Sequence, residues 1–339
     1  MSRTTAEIDM EPAFLYARPI EERSSLLIAS PCTRHPMEAQ LASSARSFRL
    51  LIVDGHAYAY RAFHAIRHLT SPSGAATNAI YGFIKMFGKM QEFLHPTHRV
   101  VVWDGGLAAE RLAELPGYKE QRPPMPPSLE QQIDGINRYL RAGHFASFCQ
   151  EGVEADDWIA SVSRQAVEAG LSVVIASADK DFLQLVSPQV GLLNPNDKPE
   201  KIWTAEDVRA KTGVEPSQIV DWLSLIGDSV DNIAGVPGVG PKTATDLLGQ
   251  FGSADSLYSR LDEVKSEKLR ASLRMAADVV RRNQRLIRLK DDLPGGFSSD
   301  EVLAGLPDVP QLQSLFAEWG FKSLLAQVSA VPPAQGELL

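Results

Sequence analysis

Acidic residues follow three apolar stretches of the chain and open one helical pattern. The segment EGVEADDWIA, residues 151–160, contains Glu154, Asp156 and Asp157. The other acids that follow strand-like or helical stretches are Asp54, Asp104, Asp179, Asp181, Asp228 and Asp231. Two like charges ~4 Å apart repel by about 1 kcal/mol in water, and by more near a protein. We therefore expect cations to offset this cluster.

The ligand types in this set indicate which cation. Carboxylate oxygens without His or Cys favour Mg²⁺ or Mn²⁺, and two such ions about 3.5–4 Å apart commonly catalyse phosphodiester displacement. Simpler alternatives exist, because acids at a helix start often serve as caps or dipole partners and an Asp after a strand is often a turn residue. The convergence of three strand ends and one helix start favours the metal site.

The surrounding elements predict an α/β fold. Apolar, β-branched stretches typical of buried parallel strands span residues 48–55, 98–106 and 171–181. Helical patterns lie between or after them at about 77–94, 128–142 and 155–169. This alternation indicates a parallel sheet covered by helices, with its active crevice at the carboxyl ends of the strands.

A glycine-rich segment follows a predicted helix that ends near Gly227. GVPGVGPKTA, residues 235–244, is not a Walker A loop, because a proline separates Gly240 from Lys242 and a helix precedes it. The spacing fits a helix–hairpin–helix turn, whose backbone N–H groups approach a phosphate or a monovalent cation. The residues predicted for this contact are Gly235, Gly238, Gly240, Lys242 and Thr243. A plain inter-helix turn is the alternative.

Two basic segments complete the pattern. Residues 265–290 contain nine Lys or Arg and two acids, a local net charge of 9 − 2 = +7, which suits either a track for a duplex backbone or a solvated helix face. The segment 117–132 combines four prolines with Tyr118, Lys119 and Arg122, and proline blocks regular pairing. We expect a loop that projects from the sheet edge.

Bulk composition sets outer limits. The chain has 339 residues and a net charge of −8, which argues against a simple basic nucleic-acid coat protein. Cys32 and Cys149 form no disulfide framework or zinc motif, so a reducing compartment is expected. No apolar run approaches the ~18 residues of a membrane span. We expect residues 1–47 to be a disordered extension, with translation from Met37 as a hypothesis that intact mass would test, and 326–339 to be a flexible tail.

Five motifs together resemble a known family: LLIVDGHAYAYRAFHAI, GYKEQRPPMPPSLEQQ, EGVEADD, SADKDFLQL and GDSVDNIAGVPGVGPKTA. Their order and spacing are similar to the 5′-nuclease domain of bacterial DNA polymerase I, in the flap-endonuclease family of 5′→3′ exonucleases. The resemblance implies a PIN-like, mostly parallel sheet flanked by helices over 48–212, with a helical arch near 117–135. It also implies a helical DNA-binding subdomain of helix–two-turn–helix type over 213–325. Because the sequence ends at 339, we expect a stand-alone nuclease.

The resemblance also implies roles for individual residues. A first metal site would use Asp54, Asp104, Glu154 and Asp156; a second, Asp157, Asp179, Asp181, Asp228 and Asp231. Arg61 matches the family's active-site arginine, and Lys119 its catalytic lysine at the base of the arch, beside Tyr118 and Arg122. Two or three Mg²⁺ or Mn²⁺ ions are implied, with K⁺ at the hairpin. Arg111 takes the place of a basic residue usual in its segment, and His56 is expected to be a surface or packing residue, because the family does not use histidine for the metals.

The implied activity is metal-dependent hydrolysis near 5′ ends, nicks or flaps of DNA in replication or repair, with Tyr118 stacking on an unpaired base. The enzyme is expected to be a monomer, cytoplasmic and nucleoid-associated, with no membrane partner. Two alternatives stay open: a structure-specific DNA-binding protein without catalysis, and an RNA-directed 5′ nuclease that removes primers.

Overall fold

The computed structural model describes residues 50–197, 201–295 and 298–330. The extension predicted for 1–47 and the end of the predicted tail, 331–339, lie outside the described residues, as does Cys32. Cys149 is a free, exposed thiol.

A six-stranded sheet organises the first half of the chain, in the spatial order β3-β2-β1-β4-β5-β6. The first five strands are parallel and β6 is antiparallel to β5. The strands of this sheet are β1 Leu50–Asp54, β2 His98–Trp103, β3 Ala146–Cys149, β4 Val173–Ala176, β5 Val190–Leu193 and β6 Ile202–Trp203. A separate hairpin pairs β7 Gly227–Asp228 with β8 Ile233–Ala234.

Helices cover the sheet and make up most of the second half. Those before residue 200 are α1 Gly55–Ala65, α2 Asn78–Leu94, α3 Ala109–Glu114, α4 Pro127–Ala142 and α5 Ala155–Glu168. Those after it are α6 Ala205–Thr212, α7 Ile219–Ile226, α8 Pro241–Phe251, α9 Ala254–Ser259, α10 Glu267–Met275, α11 Ala277–Ile287, α12 Val309–Glu318 and α13 Lys322–Ser329. Short 3₁₀ helices span Lys180–Leu185, Pro216–Gln218 and Leu261–Glu263.

The central strand β1 is buried on both faces, which explains its unbroken apolar sequence. Leu50 and Ile52 point into a core shared with α5, α7 and α8. Leu51 and Val53 point into the other core, with α1, α2 and α4. Two hydrophobic layers therefore fix the sheet, and with it the position of every strand end.

The sequence predictions for the main elements are confirmed. Strands were expected over 48–55, 98–106 and 171–181, and β1, β2 and β4 lie within them. Helices α2, α4 and α5 agree with their predicted ranges to within one residue. Strands β3, β5 and β6 were not predicted from the sequence, nor was α1, which begins immediately after Asp54.

The C-terminal helices differ from the expectation of a separate helical subdomain through residue 325. Leu312 and Phe316 of α12, with Trp319 and Leu324, belong to the core that contains Ile136 of α4. The flexible tail predicted from 326 instead begins with the last turn of α13, whose Val328 packs against the same core. Apolar side chains at helical spacing anchor this end of the chain to the sheet domain. Within the described ranges, no helix is long and apolar enough to span a membrane.

Candidate active site

An open cleft of about 440 Å³ lies at the carboxyl ends of the central strands. Its acidic lining residues are Asp54, Asp104, Asp156, Asp179, Asp228 and Asp231. These acids come from strand ends, the first turn of α5 and the β7–β8 hairpin. Basic and aromatic groups, including Arg122, Lys180, His56 and Tyr60, share the lining. The structure thus brings together six of the nine predicted acids in one cavity, and Asp181 lies directly beside Asp228 and Asp231.

Asp54 is positioned by the end of β1 and the start of α1. Its Oδ1 accepts a hydrogen bond from Ala57 N at 3.0 Å, so it also caps the helix. Its Oδ2 accepts from Ser177 Oγ at 2.8 Å. Burial raises the pKa of Asp54 to about 6, which these hydrogen bonds only partly oppose. The buried Ser177 was not singled out from the sequence, although it begins the SADKD motif.

Asp104 and Asp179 follow β2 and β4 in tight turns. Asp104 Oδ1 accepts from Gly106 N at 2.9 Å, and Asp104 N donates to His56 Nδ1 at 3.2 Å. Asp179 Oδ1 accepts from Asp181 N at 2.9 Å and caps the following 3₁₀ helix. Asp54, Asp104 and Asp179 are therefore cap or turn residues, as the simpler alternative predicted, and the same three acids also line the cleft. His56 packs edge-on against Trp103 and also lines the cleft.

Asp156 and Asp181 are the acids least favourable to ionise. Burial, followed by the negative charge of Asp179, raises the pKa of both carboxyls well above the ordinary Asp value. Within the described parts of the chain, Asp181 Oδ1 is buried and has no hydrogen-bond partner. A buried, unpaired carboxylate oxygen is costly unless a cation or donor approaches it. Among the acids at the cleft, this buried oxygen is therefore the one best suited to bind a cation.

The β7–β8 hairpin contributes the other side of the cleft. One carboxylate oxygen each of Asp181, Asp228 and Asp231 lies within 4.8 Å of the others. Burial raises the pKa of Asp231 despite the nearby charges of Lys119 and Arg122. Lys180 Nζ lies 2.8 Å from Asp228 Oδ1, and Arg122 Nη2 lies 2.6 Å from Asp231 Oδ1. Side-chain cations therefore occupy part of the coordination space around these two acids.

Glu154, predicted for the first metal site, is bound instead by protein groups. Lys119 Nζ lies 2.5 Å from Glu154 Oε2, and the hydroxyl of Tyr118 donates to the same oxygen at 3.2 Å. Burial would raise the pKa of Glu154, but the charges of Lys119 and Arg111 hold it below its usual range. Glu154 lies just behind the cleft, next to Asp156, which is 3.8 Å from the same lysine.

Tyr118 does not occupy the position needed for its predicted stacking role. Its side chain is 4% exposed and belongs to the core that includes Ala155. A ring that packs inside the protein cannot stack on a base. Tyr60, which is half-buried and lines the cleft, is the tyrosine whose side chain reaches the open space.

Asp157, predicted for the second metal site, faces away from the cleft. Its Oδ2 accepts from Arg111 Nη1 at 2.8 Å and its Oδ1 from Arg111 Nη2 at 2.7 Å. Consecutive helical residues point in directions about 100° apart. Since Asp156 on α5 faces the cleft, its neighbour Asp157 faces α3 and the end of α11.

The segment around Lys119 is folded against the protein and does not project freely. Residues 117–121 form turns and 127–135 are the first half of the packed helix α4, so the range predicted as a helical arch, 117–135, contains turns followed by a packed helix. Lys119 N donates to Asp231 O at 3.1 Å, and Asn232 Nδ2 donates to Gly117 O at 2.8 Å. The ion pairs of Lys119 and Arg122 explain this docking, which prolines alone did not predict.

Arg61, the predicted active-site arginine, lies outside the acidic cleft. Its Nη1 donates to Asn196 Oδ1 at 2.5 Å. It lines a neighbouring cavity of about 240 Å³ together with Tyr58, Lys89 and Leu193. The exposed face of α1 carries it to that side.

The glycine segment connects β8 to α8. At Gly235, a Cβ atom would lie 2.3 Å from the carbonyl carbon of Ile226, so only glycine permits this approach. Gly238 has φ = +82°, in the left-handed region that glycine favours. Gly240 precedes α8, Lys242 is exposed in its first turn, and Thr243 follows half-buried. The predicted contact residues thus lie together on one turn and the helix N-terminus beyond it.

The basic stretch 265–290 is divided between α10, α11 and the residues after them. Several of its charges are already paired within the protein, as in the contacts Arg274–Asp262, Arg285–Glu114 and Lys290–Glu110. The local charge of +7 is therefore partly neutralised on the folded surface.

The ligands of the cleft fit a divalent cation. They are all carboxylate oxygens, and burial, with neighbouring negative charges, raises the pKa values of Asp54, Asp156, Asp181 and Asp231. A cation such as Mg²⁺ or Mn²⁺ would reduce the repulsion between the cleft carboxylates. It would also bind the oxygen of Asp181 that has no hydrogen-bond partner among the described residues. The acidic cluster is thus consistent with the use of divalent metal.

Family comparison agrees with this fold. The family model described as the resolvase-like N-terminal domain of 5′-3′ exonucleases matches residues 49–213. The model for the C-terminal SAM fold of 5′-3′ exonucleases matches residues 214–309. The 5′-3′ exonuclease of Aquifex aeolicus is 36% identical over 282 residues, which cover 83% of this chain and 96% of that protein. The chain belongs to the 5′-3′ exonuclease family.

Other relatives and solved structures extend the comparison. DNA polymerase I of Bacillus caldotenax is 37% identical over 284 residues, 83% of this chain, and the match spans 32% of the polymerase. The T5 5′-exonuclease with bound zinc is 21% identical with a TM-score of 0.61, over 83% of this chain and 98% of that one. The catalytic core of Rad2 with a DNA substrate is 17% identical with a TM-score of 0.56, over 83% and 93%. These two structures share the fold.

Proposed function

We propose that this protein is a divalent-cation-dependent 5′ nuclease that hydrolyses phosphodiester bonds near 5′ ends of DNA, at nicks, overhangs and flaps. One arrangement carries the proposal: six acids line one open cleft, and beside them a buried oxygen of Asp181 has no hydrogen-bond partner among the described residues. Membership of the 5′-3′ exonuclease family supports it.

Two groups of carboxylates would each hold one Mg²⁺ or Mn²⁺ ion. We assign the first to Asp54, Asp104 and Asp156, and the second to Asp179, Asp181, Asp228 and Asp231, because these acids line or adjoin the cleft. When bound, such ions supply Lewis acidity toward a phosphate and lower the pKa of a water molecule so that it becomes nucleophilic near neutral pH. Glu154, which lies behind the cleft, would hold Lys119 in position.

Basic groups at the cleft would bind the substrate. Lys119, Arg122 and Lys180 each pair with a cleft carboxylate or with Glu154. When bound metal ions neutralise those carboxylates, the ammonium and guanidinium groups become available to the substrate. They would then bind a phosphate and stabilise the negative charge that develops at the scissile bond. The role of Arg61 rests on resemblance, because this arginine faces the neighbouring cavity.

The glycine turn and α8 would hold the duplex. The left-handed Gly238 and the exposed Lys242 stand at a helix N-terminus, where backbone N–H groups and the helix dipole favour a phosphate. The same backbone could hold K⁺. Contacts of this kind give affinity without sequence choice, as a nuclease for 5′ ends requires.

The decisive experiment uses a 5′-labelled flap duplex with Mg²⁺ or with EDTA. We expect short labelled products only with Mg²⁺, and Asp181→Asn to cleave at least about 10²-fold more slowly, since one oxygen of the cluster loses its charge. Asp134→Asn, at an acid that is 75% exposed on α4, is the matched control and should cleave normally. Tight flap binding without product in Mg²⁺ would show a non-catalytic DNA-binding protein instead.

A further inference from the structure

We propose that Arg111 is a positioning residue that ties the two sides of the cleft together, and that Asp157 is its anchor and not a metal ligand. The inference rests on the proposed function for its consequence on catalysis. Arg111 is 5% exposed, and its guanidinium contacts α5 and the end of α11 at once.

The first contact occupies Asp157 completely. Both carboxylate oxygens accept from the guanidinium, at 2.7 and 2.8 Å, and Oδ1 also accepts from Lys290 N at 2.9 Å. A planar guanidinium matches a carboxylate in this two-bonded geometry, which a lysine cannot reproduce. No acid of the cleft lining is bound by Arg in this two-bonded way among the described contacts, so Asp157 is distinct from its neighbour Asp156.

The second contact reaches the catalytic side. Arg111 Nη1 lies 3.2 Å from Glu154 Oε1, while Lys119 binds the other oxygen of the same carboxylate. Arg111 and Lys119 thus hold Glu154 from opposite sides. Displacing Arg111 would leave Glu154 Oε1 with only its hydrogen bond from Ala108 N at 3.2 Å among the described contacts. The weaker hold on Glu154 would change the position of Lys119 relative to Asp156.

The third contact reaches the hairpin side. Arg111 Nε donates to Leu286 O at 3.0 Å, at the C-terminal end of α11, where helix carbonyls lack intrahelical partners. On the same helix, the fully buried Asn283 donates to Ser224 O at 3.0 Å and to Ala234 O at 2.8 Å. Ala234 belongs to β8, in the hairpin that carries Asp228. A continuous set of hydrogen bonds therefore links α5, through Arg111 and α11, to the hairpin that carries Asp228 and Asp231.

A purely stabilising ion pair is the alternative. Buried pairs often contribute little net stability relative to apolar side chains, so a change in melting temperature alone would not separate the two roles. A positioning residue alters the turnover of bound substrate, because a misplacement of about 1 Å can cost roughly 10²-fold in rate. A metal ligand, in contrast, changes the number of ions bound.

The test combines steady-state kinetics on the flap duplex with a Mn²⁺ titration followed by electron paramagnetic resonance. For Asp157→Asn we expect the wild-type number of bound Mn²⁺ ions, whereas Asp181→Asn should lose one. For Arg111→Lys we expect kcat to fall roughly 10- to 100-fold with little change in KM for DNA. The kcat of the double variant, Arg111→Lys with Asp157→Asn, should be no lower than that of the slower single variant, because the two residues act as a unit.

Arg138→Lys and Glu318→Gln are the matched controls, since these residues form a two-bonded pair at 2.6 and 2.8 Å on the surface. They should not change kcat. Loss of a Mn²⁺ ion in Asp157→Asn would overturn the anchor role, and an Arg111→Lys protein with a lower melting temperature but normal kcat would overturn positioning. If the wild type binds Mn²⁺ but cuts no DNA, the proposed function fails while the titration still decides whether Asp157 is a ligand.

Discussion

Lys119 brings a positive charge into the most buried part of the acidic cluster. Its side chain is 2% exposed, and it contacts Glu154 and Asp156. Burial would lower the pKa of Lys119, but the charges of those two acids raise it, so the ammonium form is retained. Its backbone has φ = +56°, a conformation that costs a non-glycine residue energy and that the surrounding contacts must maintain.

We predict that Lys119→Met lowers kcat by about 10²–10³-fold with a small effect on KM, because the proposed function makes Lys119 a preorganised cation for the scissile phosphate. Single-turnover cleavage of the flap duplex measures this. Lys201→Met, which removes a surface pair with Asp207 at 2.9 Å, is the matched control. A Lys119→Met enzyme that cuts at the wild-type rate would exclude a direct role.

Part of the candidate site was predictable from the sequence, and individual residues show where such prediction fails. Asp54, Asp104 and Asp179 were recognisable because each follows an apolar strand. Asp156 and Asp157 looked equivalent, since the direction of adjacent side chains depends on which face of α5 is buried. The partner that separates them, Arg111, lies 46 positions away along the chain, and sequence spacing gives no account of such a contact.

At the scale of elements, strands with consecutive β-branched residues were predictable and those without them were not. Strands β1, β2 and β4 contain two or three β-branched residues in a row, whereas β3 has none and β5 has only Val190, and these two strands form by pairing with neighbours. The packing of α12 and α13 against α4 was also missed, because an amphipathic helix does not specify which apolar surface it will cover.

The turn from β8 to α8 is the element that we expect to hold the duplex, and Lys242 is its exposed cation. We predict that Lys242→Gln weakens binding of the flap duplex and reduces the slope of log K against log salt by about 1, as for one lost phosphate contact. Cleavage at saturating DNA should be unchanged. Fluorescence anisotropy across a salt series measures this.

The matched control for that prediction is Lys322→Gln. Lys322 is likewise exposed in the first turn of a helix, but α13 packs on the sheet domain through the core on the other face. Equal salt slopes for the Lys242→Gln protein and the wild type would argue that the turn only joins two helices.

At the scale of the whole molecule, the cleft forms only when two parts of the chain come together. One part is the sheet with α5, which supplies Asp54 and Asp156; the other is the hairpin, which supplies Asp228 and Asp231. Folding brings these like charges out of water and close together. In the metal-free protein, repulsion between the cleft carboxylates therefore lowers the stability of the folded state.

The burial of these like charges predicts how the free energy of unfolding depends on pH. The pKa of Asp54 rises from 3.8 to about 6 on folding, and the pKa values of Asp156 and Asp181 also rise. Between the unfolded and folded values, the folded state binds more protons, so this contribution to stability falls as pH rises. In EDTA, the cluster should therefore destabilise the protein more at about pH 8 than at about pH 5.

We predict that Mg²⁺ raises the melting temperature strongly at about pH 8 and weakly at about pH 5, because only ionised carboxylates bind the ion. At ~100 times the dissociation constant, the gain is about 2.7 kcal/mol per site. Differential scanning fluorimetry with Mg²⁺ or EDTA measures it. Asp181→Asn should reduce the shift at the higher pH, whereas Asp134→Asn should leave it intact. An equal Mg²⁺ shift at both pH values, or one that survives Asp181→Asn, would show that the stabilising ion binds elsewhere, because the raised pKa values tie binding in the cleft to deprotonation.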